Sequence, residues 1–510
     1  MGEKVEKHSF FWYDTHIYSV IKGGCIVKKW IAGILCFSLL LLSTACGVTT
    51  PPTATTGTIT VQRPTASVSF PTSADTTTTE NIITDTTTSQ SQMYSGVNTT
   101  NNKPTSTATQ TTTLGQNTTT TTESVLSTTV TTVTTSTTQT PKPSNPQEMR
   151  AAWVSYIEIN ELLQSCKTVE KAKQAIDDLM IRLAKCNLNT VFFHVRANSD
   201  AYYPSAYFRP ASTIKALQEK GFDLLAYAVE AAHKQHLQIH AWINPYRIGT
   251  NKDYAVQGVP TFSKTLNNVT RYYYVPTSSA TQKLVLDGVR EVLSRYAVDG
   301  IQYDDYFYPE KTMQTSTAHE FESADYTAYL QSGGSLSVGN WRRAAVDSMV
   351  SSTYIAVKKA GRIFGISPAA NAQNTYDDLY ADCLKWLSQS GYVDYLCPQL
   401  YTGFEHQGSP FDKLVEKWLA YPRHSSVKLY VGIATYKAGL QKDTYAGTGK
   451  FEWANNSDIL KRQVLYLRSK NIAGIALYSY SFLFPDEKAT LNDNILSVAQ
   501  KEAQNLLSVL

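Results

Sequence analysis

Two carboxylates stand side by side at Asp304 and Asp305, inside the run Asp299-Gly300-Ile301-Gln302-Tyr303-Asp304-Asp305-Tyr306-Phe307-Tyr308-Pro309. The run begins as an apolar strand and ends in two acids set among aromatic rings. Breaking a glycosidic bond needs one carboxyl group to protonate the leaving oxygen and another to support the cation that develops, while flat rings suit sugar faces. Sugar cleavage is therefore the leading chemistry this arrangement admits. An Asp-Asp pair also occurs where the first acid caps a turn and the second is merely solvated, so the elements that position the pair have to decide.

Short runs rich in β-branched and aromatic residues lie at 151–156, 190–195, 238–243, 300–304, 363–367, 393–400, 428–435 and 473–478, and each reads as a buried strand. Helical periodicity fills the intervals at 169–186, 224–236, 280–296, 341–360 and 458–470. Eight alternating strand-helix units predict an α/β fold of the (β/α)8 TIM-barrel type. An open doubly wound sheet is the competing arrangement, but no Gly-rich phosphate loop follows the first strand. No cofactor is expected.

Active sites of such barrels gather at the carboxyl ends of the strands. The first end offers Tyr156, Glu158 and Asn160; the second His194, Arg196, Asn198 and Asp200; the third Trp242, Asn244, Tyr246 and Arg247. The fourth delivers Asp304 and Asp305, the fifth Ser367 and Asn371, the sixth Gln399 and Tyr401, the seventh Tyr436 and Lys437, the eighth Tyr478 and Tyr480. Alternation along a strand puts His240, Trp242 and Asn244 toward the barrel axis with Gln302 and Asp304, and turns Ile239, Ala241, Ile243, Ile301 and Tyr303 to the helices. The expected substrate-binding set is His194, Arg196, Asp200, Trp242, Asn244, Tyr246, Arg247, Gln399, Tyr401, Tyr436 and Tyr478.

Several blocks carry a family resemblance. Arg150-Ala151-Ala152-Trp153-Val154, Phe193-His194-Val195-Arg196 with Asp200 and Tyr203-Pro204-Ser205, and His240-Ala241-Trp242-Ile243-Asn244-Pro245-Tyr246-Arg247 come first. The run from Asp299 to Pro309, Phe364-Gly365-Ile366-Ser367-Pro368, Asp394-Tyr395 through Tyr401, and Tyr430-Val431-Gly432 through Lys437 follow in order. Together they resemble the glycosyl hydrolase-like family 10. The resemblance implies a (β/α)8 glycosidase-like domain on bacterial envelope lipoproteins, with peptidoglycan glycan strands as the substrate class. After Ser367-Pro368 the chain has Ala369-Ala370-Asn371, where the family pattern calls for Gly and a bulky residue.

The fifth strand ends without an acid, so a second carboxylate must come from elsewhere. Adjacent acids on one strand end are similar to those of barrel hexosaminidases, in which the first orients the substrate's own acetamido nucleophile and the second is the acid/base. That places Asp304 as orienter and Asp305 as acid/base. A conventional pair would instead join Asp304 with Glu158, Asp200 or Glu405. A non-catalytic carbohydrate-binding barrel, a lectin or wall anchor, is the alternative outside enzymology.

Composition divides the rest of the 510 residues. Residues 47–147 are dominated by Thr and Ser with scattered Pro, too few apolar groups to offset ordering entropy, and read as a disordered stalk. Residues 148–510 have the composition of one large globular domain. Residues 1–46 end as a signal peptide: Lys28-Lys29, an apolar run over 30–42, then Ser43-Thr44-Ala45-Cys46-Gly47. That ending is similar to a lipobox in which Cys46 carries the lipid, giving a lipid-anchored protein at the membrane or surface, with secretion as the alternative. A start near residue 27 would give a more conventional signal. The net charge of +4 is small and scattered, so nucleic acid is not an expected partner. Cys166, Cys186, Cys383 and Cys397 show no metal-type spacing; no metal is expected, and pairing of Cys383 with Cys397 is left open.

Overall fold

The computed structural model describes residues 148–266, 268–309, 318–487 and 493–510. The signal segment, Cys46 and the Thr/Ser tract lie outside the described residues. The central parallel sheet contains β1 (Met149–Val154), β2 (Thr190–Arg196), β3 (Gln238–Ile243), β4 (Gly300–Tyr303), β5 (Ile363–Ile366), β6 (Tyr395–Leu396), β7 in two pieces (Lys428–Leu429 and Val431–Ala434) and β8 (Gly474–Tyr478). Each expected strand is present. The first piece of β7 pairs with β6 and the second with β8, so the two ends of the ladder are one strand broken at Tyr430. Eight strands thus close on themselves, and closure removes the exposed edges an open sheet would carry.

The ladder is thinnest at β6, where Pro398 has no N–H to donate. Continuity is kept by single bridges from Gln399 to Ala369 and to Gly432, and by the Pro398 carbonyl, which accepts from Gly432 N at 2.9 Å.

Helices bury one stripe each against the outward face of the sheet. The helix Val169–Lys185 starts at Thr168, whose side chain accepts from Lys171 N, and buries Ala172, Ile176, Leu179, Met180 and Leu183 at helical spacing. Tyr156–Leu163 begins with a capping box between Ser155 and Glu158. After β3 the chain forms a three-stranded antiparallel ribbon of Arg247–Gly249, Thr261–Leu266 and Val269–Tyr274, anchored by Phe262 stacked on Phe321 at 4.2 Å.

The barrel interior is packed. Trp153, Phe192, Trp242, Tyr395, Cys397 and Tyr430 form an inner cluster, with Trp153 and Phe192 centroids 5.2 Å apart. Gly365 is required there, because a Cβ would lie 1.9 Å from the Tyr395 ring. His240 Nδ1 lies 3.0 Å from Tyr395 Oη, and burial pulls this imidazole down to about 4. The four cysteines of the described residues are free thiols, so Cys383 and Cys397 do not pair here.

Candidate active site

The site is built on this packed floor, at the carboxyl ends of the strands. Gln302 and Asp304 point inward, as alternation requires. Gln302 spans the axis: its Oε1 accepts from Trp153 Nε1 at 3.2 Å, and its Nε2 donates to Ser367 Oγ. Outward-facing Tyr303 instead reaches Thr353 on the helix Val338–Lys359.

Asp304 is 3% exposed. Its Oδ2 accepts from Trp242 Nε1 at 3.0 Å and its Oδ1 from Tyr306 N at 3.2 Å. Burial, and then the neighbouring Asp305, push its carboxyl up to about 7, against the opposing pull of Arg247 and the two hydrogen bonds. Asp305 is half-buried and its Oδ1 accepts from Gln399 Nε2 at 3.2 Å, the same amide group donating to the Ser367 carbonyl at 2.9 Å. Strand five therefore contributes Ser367 to the site, while Asn371 caps the following helix by accepting from Gln373 N. Like charges in adjacent positions cannot both ionise cheaply, and this repulsion adds to burial in raising the Asp304 carboxyl.

Around the acids the structure brings together most of the expected set. Trp242 stacks on His194 at 3.6 Å with an interplanar angle of 11° and meets Tyr478 edge-on at 6.5 Å. Tyr478 stacks on Tyr401 at 5.6 Å, and Tyr436 stands edge-on to both. These three tyrosines make one wall from β6 to β8. On the other side, the Arg247 guanidinium lies 4.6 Å over Tyr306, and its Nε donates to the Ala197 carbonyl. The Asn244 carbonyl oxygen accepts from Arg247 N, and the Asn244 amide nitrogen is buried with no protein partner. Asp200, pushed by burial up to about 6 against the pull of Arg209 and Arg247, also has an oxygen with no protein partner.

Two expected residues are placed away from the acids. A β-bulge between His194 and Arg196, against Trp242 and Ile243, turns Arg196 outward. Its guanidinium lies 4.5 Å over Phe208 and touches the position a Cβ at Gly288 would occupy, beneath the helix Ser279–Arg295. Tyr246 is fully buried in the main core, edge-on to Phe307.

The alternative acids also have definite surroundings. Glu158 is buried; Oε2 accepts from Ser155 N and Oγ, and Oε1 from Ser479 Oγ, Ser481 N and Ser481 Oγ. Both of its oxygens serve the junction of β8 with the first helix. Glu405 is exposed on the loop after β6, and its backbone N–H binds Glu452. Lys437 is tied to Asp443 at 2.6 Å as a buried pair. Trp153 and Gln302, absent from the expected set, form the layer directly under the acids; the inward phase of β1 and β4 is the signal that marks them. Among the described residues no group of three or more His, Cys, Asp or Glu side chains is gathered as for a metal.

Known proteins are similar to this sequence over part of its length. Glycosyl hydrolase YngK of Bacillus subtilis (strain 168) is 29% identical over 391 residues, spanning 71% of this chain and 72% of its own. Glycosyl hydrolase DigH of Escherichia coli (strain K12) is 31% identical over 302 residues, 52% of this chain and 66% of its own. Among solved structures, the PgaB (BpsB) glycoside hydrolase domain from Bordetella bronchiseptica aligns with a TM-score of 0.48 at 12% identity, over 71% of this chain and 99% of that one. The family model Glycosyl hydrolase-like 10 matches residues 148–446, more than half of the 510 and a span that holds Asp304, Asp305, Trp242 and Gln399. The chain belongs to the glycosyl hydrolase-like 10 family.

Proposed function

We propose that the barrel hydrolyses O-glycosidic bonds of bacterial cell-wall glycan, peptidoglycan strands being the substrate class, with Asp304 and Asp305 as the catalytic pair. The observation that carries the reading is a buried carboxyl held near neutrality beside a second, more accessible one, at the carboxyl end of a barrel strand. A carbohydrate-binding barrel without catalysis has no use for a buried acid poised in this way, since desolvating it only lowers stability. The family and the names of its relatives support the same class of reaction.

The substrate-assisted scheme is favoured over a pair of Asp304 with a distant acid, because Asp305 lies beside Asp304 while Glu158 has both oxygens engaged by the protein and Glu405 is exposed; Asp200, buried with one oxygen lacking a protein partner, is the acid that a conventional pair would use. Asp304, fixed by Trp242 and Tyr306, accepts the acetamido N–H and holds that group so that its carbonyl oxygen attacks the anomeric carbon. Asp305 delivers its proton to the leaving oxygen, then takes one from the water that opens the cyclic intermediate. Tyr436 and Tyr478, both half-buried, offer ring surface to neighbouring sugars, with Tyr401 stacked behind Tyr478. At the cell, a lipid on Cys46 and the stalk at 47–147 hold the barrel at the surface with reach into the wall. The test is incubation of the protein with denuded and with intact peptidoglycan, with products read by mass spectrometry. New reducing ends on glycan strands support the proposal; tight binding without products points to a lectin.

A further inference from the structure

Between the first helix and Asp304 runs a continuous set of contacts that no substrate group needs to complete. The helix Tyr156–Leu163 leaves its first N–H groups without partners inside the helix. One of them, Tyr156 N, donates to His194 Nδ1 at 3.4 Å. That bond leaves the ring proton on Nε2, which is buried without a protein partner. The imidazole lies flat on the Trp242 indole at 3.6 Å, and the indole N–H reaches Asp304 Oδ2 at 3.0 Å. His194 itself is 1% exposed, too enclosed to serve as a sugar ligand on its own.

The groups facing the imidazole are consistent with a ring that stays neutral. Burial, then the Arg247 charge, hold it well below its ordinary range, and a helix N terminus adds positive potential from a third direction. Glu158 is spent on the capping box and the two serines, so it supports the helix rather than the imidazole. A ring with no charge change and no route to solvent can carry orientation, but not protons.

We propose that His194 is a positioning residue: fixed by the Tyr156 N–H, it holds the Trp242 indole in the plane from which its N–H hydrogen-bonds Asp304. This rests on Asp304 being catalytic, and it assigns His194 and Trp242 to the support of the acid pair rather than to sugar contact. An aliphatic gap at 194 frees the indole to turn; a flat hydrocarbon ring at 194 keeps the stack without the Tyr156 bond.

The test compares the full-length protein with His194→Ala, His194→Phe, Trp242→Phe and the double variants. With glycan strands, His194→Ala should lower kcat about tenfold or more with little change in KM, the scale of losing one oriented hydrogen bond to a catalytic group. The acid limb of its pH profile should move up, because Asp304 loses a donor that favours its ionised form. His194→Phe should recover most of the rate, and either His194 change made on top of Trp242→Phe should add little. Independently of turnover, the Trp242 indole N–H resonance in protein with 15N-labelled tryptophan, assigned through Trp242→Phe, should titrate with Asp304 in the wild type and lose that titration in His194→Ala. An unmoved pH limb or a fully additive double variant overturns the positioning role. So does an indole N–H that tracks Asp304 equally well without His194. If the wild type cleaves nothing while the indole titration behaves as stated, the positioning stands and the hydrolase reading fails. If His194→Ala does not fold, His194→Val, which also removes the flat ring, carries the same comparison in the cycle with Trp242→Phe and in the indole resonance.

Discussion

Asp304 is a carboxyl group that folding holds at a disadvantage, and the disadvantage is measurable apart from catalysis. Its folded value of about 7 lies above the ordinary carboxylate range, so between about pH 4 and about pH 7 the folded state binds more proton than the unfolded chain and stability falls as pH rises. Asp304→Asn removes this titration. Melting temperature followed from pH 4 to pH 8 should therefore decline less in the variant than in the wild type, whatever constant offset the lost hydrogen bond adds; parallel curves would contradict the buried ionisation. Turnover should rise as pH climbs toward about 7, because Asp304 accepts the acetamido N–H in its ionised form. Asp305→Asn should retain more activity on a substrate whose leaving group needs no protonation, and Asp304→Asn should not be rescued in that way, since its part is to place the acetamido group. A rate profile flat across pH 6 to 8 would argue against an ionisation of Asp304 in the reaction. At this scale the sequence singled out the pair, Trp242, His194 and Gln399 from their places at the strand ends. It placed Arg196 on the same logic and was misled, because one extra residue in β2 leaves no mark in composition yet turns the side chain to the opposite face.

At the scale of elements, all eight strands were legible because buried parallel strands are short apolar runs separated by helical periodicity. What escaped was local. The ribbon at Arg247–Gly249, Thr261–Leu266 and Val269–Tyr274 is half-polar and carries no helical or fully buried pattern, and the short helices Tyr156–Leu163 and Phe411–Ala420 fall outside the expected helical intervals, the first of them beginning at the residue expected to end the first strand. The run at 393–400 keeps only Tyr395–Leu396 in the ladder because Pro398 ends it. The loop after β7 is held by Lys437 and Asp443, both buried, and by Asp443 N bonding the Lys450 carbonyl. Asp443→Ala would strand the ammonium group without its partner, a change that costs about 3–5 kcal/mol at buried pairs. It should lower the melting temperature by several degrees and raise KM for glycan more than it lowers kcat, because Tyr436 stands next to Lys437 in the aromatic wall. Unchanged stability and KM would show that the loop is held by other contacts.

For the whole molecule, the barrel and the chain before it have separable tasks in the proposed function. Deleting residues 48–146 should leave the melting transition and the cleavage of soluble glycan unchanged, because a Thr/Ser tract with so few large apolar side chains contributes nothing to a core. Activity on whole cells should drop as reach is lost; a destabilised barrel would refute the spacer reading. Cys46→Ala should move the protein out of the detergent-extracted membrane fraction, since acylation needs that thiol, and unchanged fractionation would remove the lipid anchor. The barrel was readable from sequence because its regularity repeats eight times, whereas the closure at Tyr430 and the packed inner cluster depend on residues far apart in the chain.

The most direct test of the central claim is a rate measurement on denuded glycan strands with Asp304→Asn, Asp305→Asn and the double variant. Two carboxylates acting as one unit predict losses of roughly 10²–10⁴-fold in each single variant, glycan binding retained, and a double variant hardly worse than either. Near wild-type rates in both single variants would place the chemistry elsewhere on the rim and contradict the account.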